Sequence, residues 1–219
     1  MAVGALADWV RLFRIARSLI EQVNSDQLII DYWTFGGGTA LMLQINHRES
    51  RDVDIFLSDS QLLPFLDPQK RDFEFEIPPD DYRGDGVRSL KLAFNNVGEI
   101  DFIVAGALTA SPTTAANVDG QNVLLETVPE IIAKKVYYRA SSIQSRDIFD
   151  IAAAGERSAE AMIDGLRMYR DHVAEALVTI SKLNVDFVNR AIQQLAIKDG
   201  YKHVAKTALE RCKELLRAV

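Results

Sequence analysis

Near the start of the chain, apolar residues recur every three or four positions: Leu6, Trp9, Val10, Phe13, Leu19, Ile20 and Val23. That period predicts an amphipathic helix beginning near Ala5, with one stripe lying on a core. Leu28–Phe35 is rich in β-branched and aromatic residues and reads as extended. Gly36-Gly37-Gly38 breaks it, and Thr39–Ile45 has the composition of a short helix. Asp52–Leu57 alternates acid and apolar residues as a short strand, and Phe73–Ile77 alternates at period two as a half-buried strand should. Val87–Phe94 and Val97–Val104 read as two strands joined at Asn95-Asn96, and Tyr82–Gly86 as a loop. After Val128 the pattern is helical, opened by Pro129 and Glu130, both suited to a first turn. Helices are expected over Val128–Ala140, Arg146–Ala154, Ala159–Tyr169, Asp171–Leu183, Val185–Lys198 and Lys202–Ala218. The fold class expected is α+β: a mixed sheet with flanking helices over residues 1–126, then a helical bundle over residues 127–219.

Composition narrows the class without naming a function. With 219 residues, 48% apolar and 26% charged, the chain is an ordinary globular protein, which excludes a disordered, collagen-like or mini-protein scaffold. A net charge of −6 excludes a generally basic nucleic-acid coat protein, while leaving room for a local basic groove. Cys212 is the one cysteine, so no intrachain disulfide forms, and together with the lack of a signal-peptide pattern this sets the expectation of a cytoplasmic protein. Ala5–Ile20 carries Asp8, Arg11, Arg14 and Arg17, too many charges for a membrane span, and no membrane partner is expected.

Candidate chemistry concentrates behind the glycine run. Asp52 and Asp54 stand at i and i+2, on one face of a strand, where like charges resist ionising together unless a cation joins them. Mg²⁺ takes one or two carboxylates and reaches out to substrate phosphates. A strand end with an acidic solvent face yields the same Asp-x-Asp, so the pair alone does not decide. Asp101 adds weight, because it lies among Ile100, Phe102 and Ile103 and must face solvent or find a partner. If its strand lies beside Asp52–Leu57, three carboxylates converge, as in sites that hold two ions about 3.5–4 Å apart. Three glycines let the backbone approach a ligand, and Thr39 opens a helix whose free N–H groups favour an anion.

These residues carry a family resemblance. Gly37-Gly38-Thr39-Ala40-Leu41, then His47-Arg48-x-Ser50-x-Asp52-x-Asp54-Ile55-Phe56, resembles the signature of the AbiEii/AbiGii-type nucleotidyltransferase toxins, members of the DNA polymerase β-like nucleotidyltransferase superfamily. In the helical half, Ile131-Ile132-Ala133-Lys134-Lys135-Val136, Arg139 and Ser145-Arg146-Asp147-Ile148-Phe149-Asp150-Ile151 are similar to that family's Lys helix and Arg-Asp-x-x-Asp-Leu motif. The likeness runs from about Tyr32 to Ala154. It implies a nucleotidyltransferase-like domain followed by helices that contribute to the active-site cleft. It further implies an enzyme that moves a nucleoside monophosphate from an NTP, with Mg²⁺ or Mn²⁺, to an RNA such as a tRNA 3′ end or to a protein hydroxyl, as a toxin with a cognate antitoxin.

Carried over by motif, Asp52, Asp54, Lys135, Asp147 and Asp150 are the candidate catalytic residues. Gly37, Gly38, Thr39, Arg48, Ser50 and Lys135 are the candidates for nucleotide binding, and Asp52, Asp54 and Asp101 for the metal. Lys134 takes the place of Lys135 if the helix register differs by one. One of Asp147 and Asp150 would orient Lys135 or Arg139 or accept a proton from the acceptor hydroxyl, unless Asp147 is only a helix N-terminal acid. His47 reads as structural. The C-terminal basic series Lys198, Lys202, Lys206, Arg211, Lys213 and Arg217 is interleaved with Asp199, Glu210 and Glu214, which favours a solvated helix face over a nucleic-acid surface. The alternative to an enzyme is a catalytically silent module of the same fold acting through a partner.

Overall fold

The computed structural model describes residues 7–219, so Ala5 and Leu6 of the expected first helix lie outside the described residues. The chain divides into two compact units: residues 7–40, 50–106 and 114–125 in the first, and 41–49, 107–113 and 126–219 in the second.

The first unit is a seven-stranded mixed sheet with a helix on it. Helix α1 (Asp8–Val23) buries Leu12, Phe13, Ala16, Leu19, Ile20 and Val23, and Phe13 stacks on Phe35 at 5.1 Å between ring centres. Strand β1 (Thr34–Gly36) is far shorter than the apolar run before it. Asn24 explains why: its side-chain oxygen accepts from the Ile29 and Ile30 amides and its nitrogen donates to the Ile30 carbonyl, so these groups are satisfied without a ladder. Helix α2 (Gly37–Ile45) starts in this unit, and residues from Leu41 count with the second.

Strand β2 (Val53–Leu57) pairs antiparallel with β1 and parallel with β5 (Gly98–Val104). Between them in sequence come helix α3 (Leu63–Leu66), then β3 (Asp81–Gly84) and β4 (Ser89–Phe94). Strand β4 is antiparallel to both β5 and β3. The other edge is a hairpin of β6 (Thr113–Val118) and β7 (Gln121–Glu126), β7 lying parallel to β1, which gives the order β3-β4-β5-β2-β1-β7-β6. Its turn is Asp119-Gly120, both at positive φ, the pair that a tight hairpin turn requires. Arg14 of α1 grips Asp119 with two nitrogens at 2.6 and 2.9 Å.

Two expectations change. Phe73–Ile77 is not a strand, although its burial does alternate. The side chain of Gln22 takes the place of a neighbouring strand, donating to the Glu74 carbonyl and accepting from the Glu74 amide, each at 2.9 Å. Tyr82–Gly86 is not all loop, since most of it forms the fully exposed edge strand β3.

The second unit is helical: α4 (Val128–Arg139), α5 (Ser145–Leu166), α6 (Arg170–Lys182), α7 (Val185–Gln193), α8 (Lys202–Ala205) and α9 (Ala208–Arg217). The break expected between Ala154 and Ala159 is a kink inside α5, where Ser158 leaves the helical region at φ −133°. The segment Lys202–Ala218 is two helices instead of one. Residues 47–49 lie antiparallel to 196–198: the Glu49 amide donates to Ala196, and the Lys198 amide to His47, both at 3.0 Å. That pairing, after Asn46 closes α2 at a φ of +49°, ties residues 41–49 to this unit. No helix among the described residues is long and apolar enough to cross a membrane.

Candidate active site

In the first unit, sheet register sets the chemistry. Lys91 on β4, Asp101 on β5, Asp54 on β2 and Gly36 on β1 are successive partners across four strands, and partners point to one face of a sheet. Leu90, Leu92, Ile100 and Phe102 fill the opposite, buried face, so alternation alone turns Lys91, Glu99 and Asp101 the other way.

The carboxylates in this row are held in different ways. Asp54 lies against Gly37, which adopts a φ of +68°. A Cβ on Gly37 would lie 1.8 Å from Asp54 Oδ2, so the glycine turn is the space that the Asp54 carboxylate fills. Asp101 Oδ2 takes the Lys91 ammonium at 3.1 Å, and the same ammonium donates to Glu99. Asp52, one residue before β2, accepts the Glu99 amide at 3.1 Å. Thr39, fully buried, donates its hydroxyl to the Asp52 carbonyl, stapling the start of α2 to the acidic segment. Ser50 is half-buried.

The electrostatics follow the contacts. Burial pushes the Asp101 carboxyl above its ordinary value; Lys91 opposes this, while Glu99 and Asp52 add to it. Lys91 loses some basicity to burial, but Glu99 and Asp101 outweigh the loss and hold its ammonium above the usual value. Among the described residues no group of three His, Cys, Asp or Glu is gathered to hold a metal ion. The donor chemistry that is present fits one Mg²⁺-like ion: Asp52 and Asp54 offer hard oxygens, and such an ion completes its shell with water and phosphate. Asp101, the third expected ligand, is committed to Lys91.

An expected consequence tests the Gly37 contact. Gly37→Ala must displace Asp54 and hold a left-handed backbone, which costs an L-residue roughly 1–2 kcal/mol, or else rearrange the turn. The melting temperature should fall by several degrees, and the activity that the resemblance implies should drop with it. An unchanged melting point and rate would show that Asp54 does not depend on this space.

The second unit gathers the other expected residues around the start of α5. Asp150, fully buried, accepts from Arg48 through Nε at 2.7 Å and a terminal nitrogen at 2.9 Å, from His47 Nε2 at 2.9 Å, and lies 3.1 Å from Lys135 Nζ. Asp147, one turn earlier, takes Lys135 Nζ at 2.8 Å and Arg139 at 3.2 Å, and accepts the Gln144 amide at 3.1 Å, closing a capping box. Asp147 thus contacts Lys135 and Arg139 and also caps its helix.

Burial raises the Asp150 carboxyl, yet Lys135, Arg48 and the His47 hydrogen bond outweigh it and hold the group well below the usual carboxylate range. Asp147 is lowered by the same balance, with Lys135 and Arg139 opposing burial. His47 is buried between Phe149, stacked at 5.8 Å, and Tyr201, in keeping with a structural role. Arg48, expected on a phosphate or paired with Glu49 or Asp52, is clasped by Asp150 and donates to the Glu49 carbonyl at 3.0 Å.

The two lysines diverge within α4. Lys134 goes to Glu126 and lies 3.6 Å from Glu130, while Lys135 goes to the α5 carboxylates. Glu130 is a residue whose role the sequence did not reveal: buried at the start of α4, it accepts the Leu108 and Thr109 amides and the Thr109 hydroxyl, pinning residues 107–113. In the C-terminal basic series, Lys198, Lys202, Arg211 and Lys213 pair with Glu49, Asp199, Glu156 and Glu210, which supports a solvated face.

Comparison with known proteins gives these clusters a context. Residues 18–211 match the family model described as nucleotidyl transferase AbiEii toxin, type IV TA system. No curated protein matches in sequence. Among solved structures, the chain is similar to the nucleotidyltransferase toxin MenT4 of Mycobacterium tuberculosis H37Rv, at 16% identity and a TM-score of 0.53, covering 98% of this chain and 86% of that one. It is also similar to JHP933 from Helicobacter pylori, at 14% identity and a TM-score of 0.49, covering 97% of this chain and 92% of that one.

Proposed function

The chain belongs to the AbiEii nucleotidyltransferase toxin family of toxin–antitoxin systems, and from that premise we propose that it transfers a nucleoside monophosphate from an NTP to an RNA hydroxyl, a tRNA 3′ end being the acceptor to try first. Asp52 and Asp54 would hold a divalent ion, Mg²⁺ or Mn²⁺, which when bound neutralises phosphate charge. The amides at the start of α2, at Gly37, Gly38 and Thr39, would receive phosphate oxygens, because a helix N-terminus presents unpaired N–H groups. The side chain of Thr39 is spent on Asp52, so its share in binding is its backbone. Ser50, two residues before Asp52, remains a candidate phosphate contact.

Lys135 is the candidate counter-charge for the triphosphate. Asp147 and Asp150 would then act by orienting it, since both are fully buried and occupied by cations. Arg48 would serve the same purpose through Asp150. The observation that carries the reading is the Gly37–Asp54 contact, which couples a glycine turn at a helix start to the acidic strand in one local structure. An RNA hydroxyl is put first and a protein hydroxyl second, and the labelling experiment separates the two. A cognate antitoxin would complete the system, acting in the cytoplasm.

The test is incubation with each α-labelled NTP, Mg²⁺ and total RNA, with chelator as control. Label should enter RNA from one preferred NTP and fail to do so with chelator. Label entering only protein overturns the RNA acceptor, and no label from any NTP overturns the transfer itself.

A further inference from the structure

Lys91 belongs to none of the motifs that marked the acidic strands, yet it stands in the same row. Its Cα partner is Asp101, whose own partner on the far side is Asp54. Its ammonium lies 3.1 Å from Asp101 and also engages Glu99, two residues earlier on the same face of β5. Meanwhile the Asp54 carboxylate leans the other way, onto Gly37. The carboxylates on β2 and β5 thus turn to opposite neighbours, and one of those neighbours is a fixed cation.

We propose that the Lys91 ammonium stands where a second divalent ion would otherwise be held between Asp101 and its neighbours, so that the acidic strands take a single divalent ion. This rests on the reading of Asp52 and Asp54 as the metal pair. In a two-ion site the metals lie about 3.5–4 Å apart and share carboxylates. Here the carboxylate available for sharing already has a cation at contact distance. An incoming divalent ion would have to expel a half-buried ammonium from both of its partners and then stand beside it, a like-charge cost on top of the lost pairs. Its pairing with both Glu99 and Asp101 holds that charge in place.

Mn²⁺ binding to the chain without nucleotide tests this, read from the spin-resonance signal of free Mn²⁺, with circular dichroism to verify folding. Lys91→Met should bind two Mn²⁺ per chain where wild type binds one, because Asp101 and Glu99 lose their counter-charge and an acidic cluster left without a cation favours one. Lys91→Arg, which keeps the charge, should bind as wild type does. Adding Asp101→Asn to Lys91→Met should return the count to one ion per chain. Equal numbers of Mn²⁺ bound to Lys91→Met and wild type overturn the proposal, as does a second ion that persists when Asp101 is replaced. Failure of the Asp52–Asp54 reading appears separately, as Mn²⁺-dependent NTP binding that survives Asp54→Asn.

Discussion

Asp54→Asn is expected to abolish nucleotidyl transfer while leaving the protein folded. The substitution keeps the shape that fills the space over Gly37 and removes the charge. A metal held by two carboxylates and substrate oxygens tolerates that loss badly. Even partners outside the first ring of ligands cost about 10–100-fold when removed, so a ligand should cost more than about a hundredfold in rate. Stability should move little. Asp54 is half-exposed at a strand face, and such positions change stability by about 0.5 kcal/mol or less, or roughly 1–2 °C in a chain of this size. A steady-state rate within tenfold of wild type would remove Asp54 from the metal site, whatever the family.

That acidic site was partly legible because it is local. Strand alternation puts Asp52 and Asp54 near one face, and the glycine run precedes a helix by simple punctuation. The pairing of β2 with β5, on which Asp101 depends, was stated only as a condition, since register between distant strands leaves no mark within either. Lys91 was missed for that reason: on its own strand it is one polar residue among alternating apolar ones. The β6–β7 hairpin did carry a signal in Asp119-Gly120, but its strands mix Ala, Asn and Thr with few large apolar residues, so period two is faint. Phe73–Ile77 shows the converse, a clean alternation whose backbone is satisfied by one Gln side chain. The helical unit was the easiest to read, because α4 and α6 follow from period alone. What period could not supply was the strand-like pairing of 47–49 with 196–198, contacts about 150 residues apart that bring His47 and Arg48 to Asp150.

Asp150 is where removing one side chain should cost the most stability. Asp150→Ala leaves Arg48 and His47, both buried, without their shared acceptor, and leaves Lys135 with Asp147 alone. Breaking one partner of a buried ion pair typically costs about 3–5 kcal/mol, because the charges left behind cannot return to water. At roughly 2–4 °C per kcal/mol for a chain of this length, the melting temperature should drop by about 6–20 °C. Asp150→Asn keeps the volume and one acceptor, so it should lose less, but it also removes a titrating group whose sign is fixed. The folded carboxyl lies well below its unfolded value of about 3.9, so its stabilisation is complete above that value and is lost as pH falls toward the folded one. Asp147 shifts in the same direction. Wild type should therefore lose stability progressively below about pH 4, and Asp150→Asn should show a shallower acid limb from a lower plateau. Parallel acid limbs in the two proteins would mean that Asp150 is not held ionised by Lys135 and Arg48. A melting shift under about 2 °C in Asp150→Ala would mean that this cluster does not hold the helical unit together.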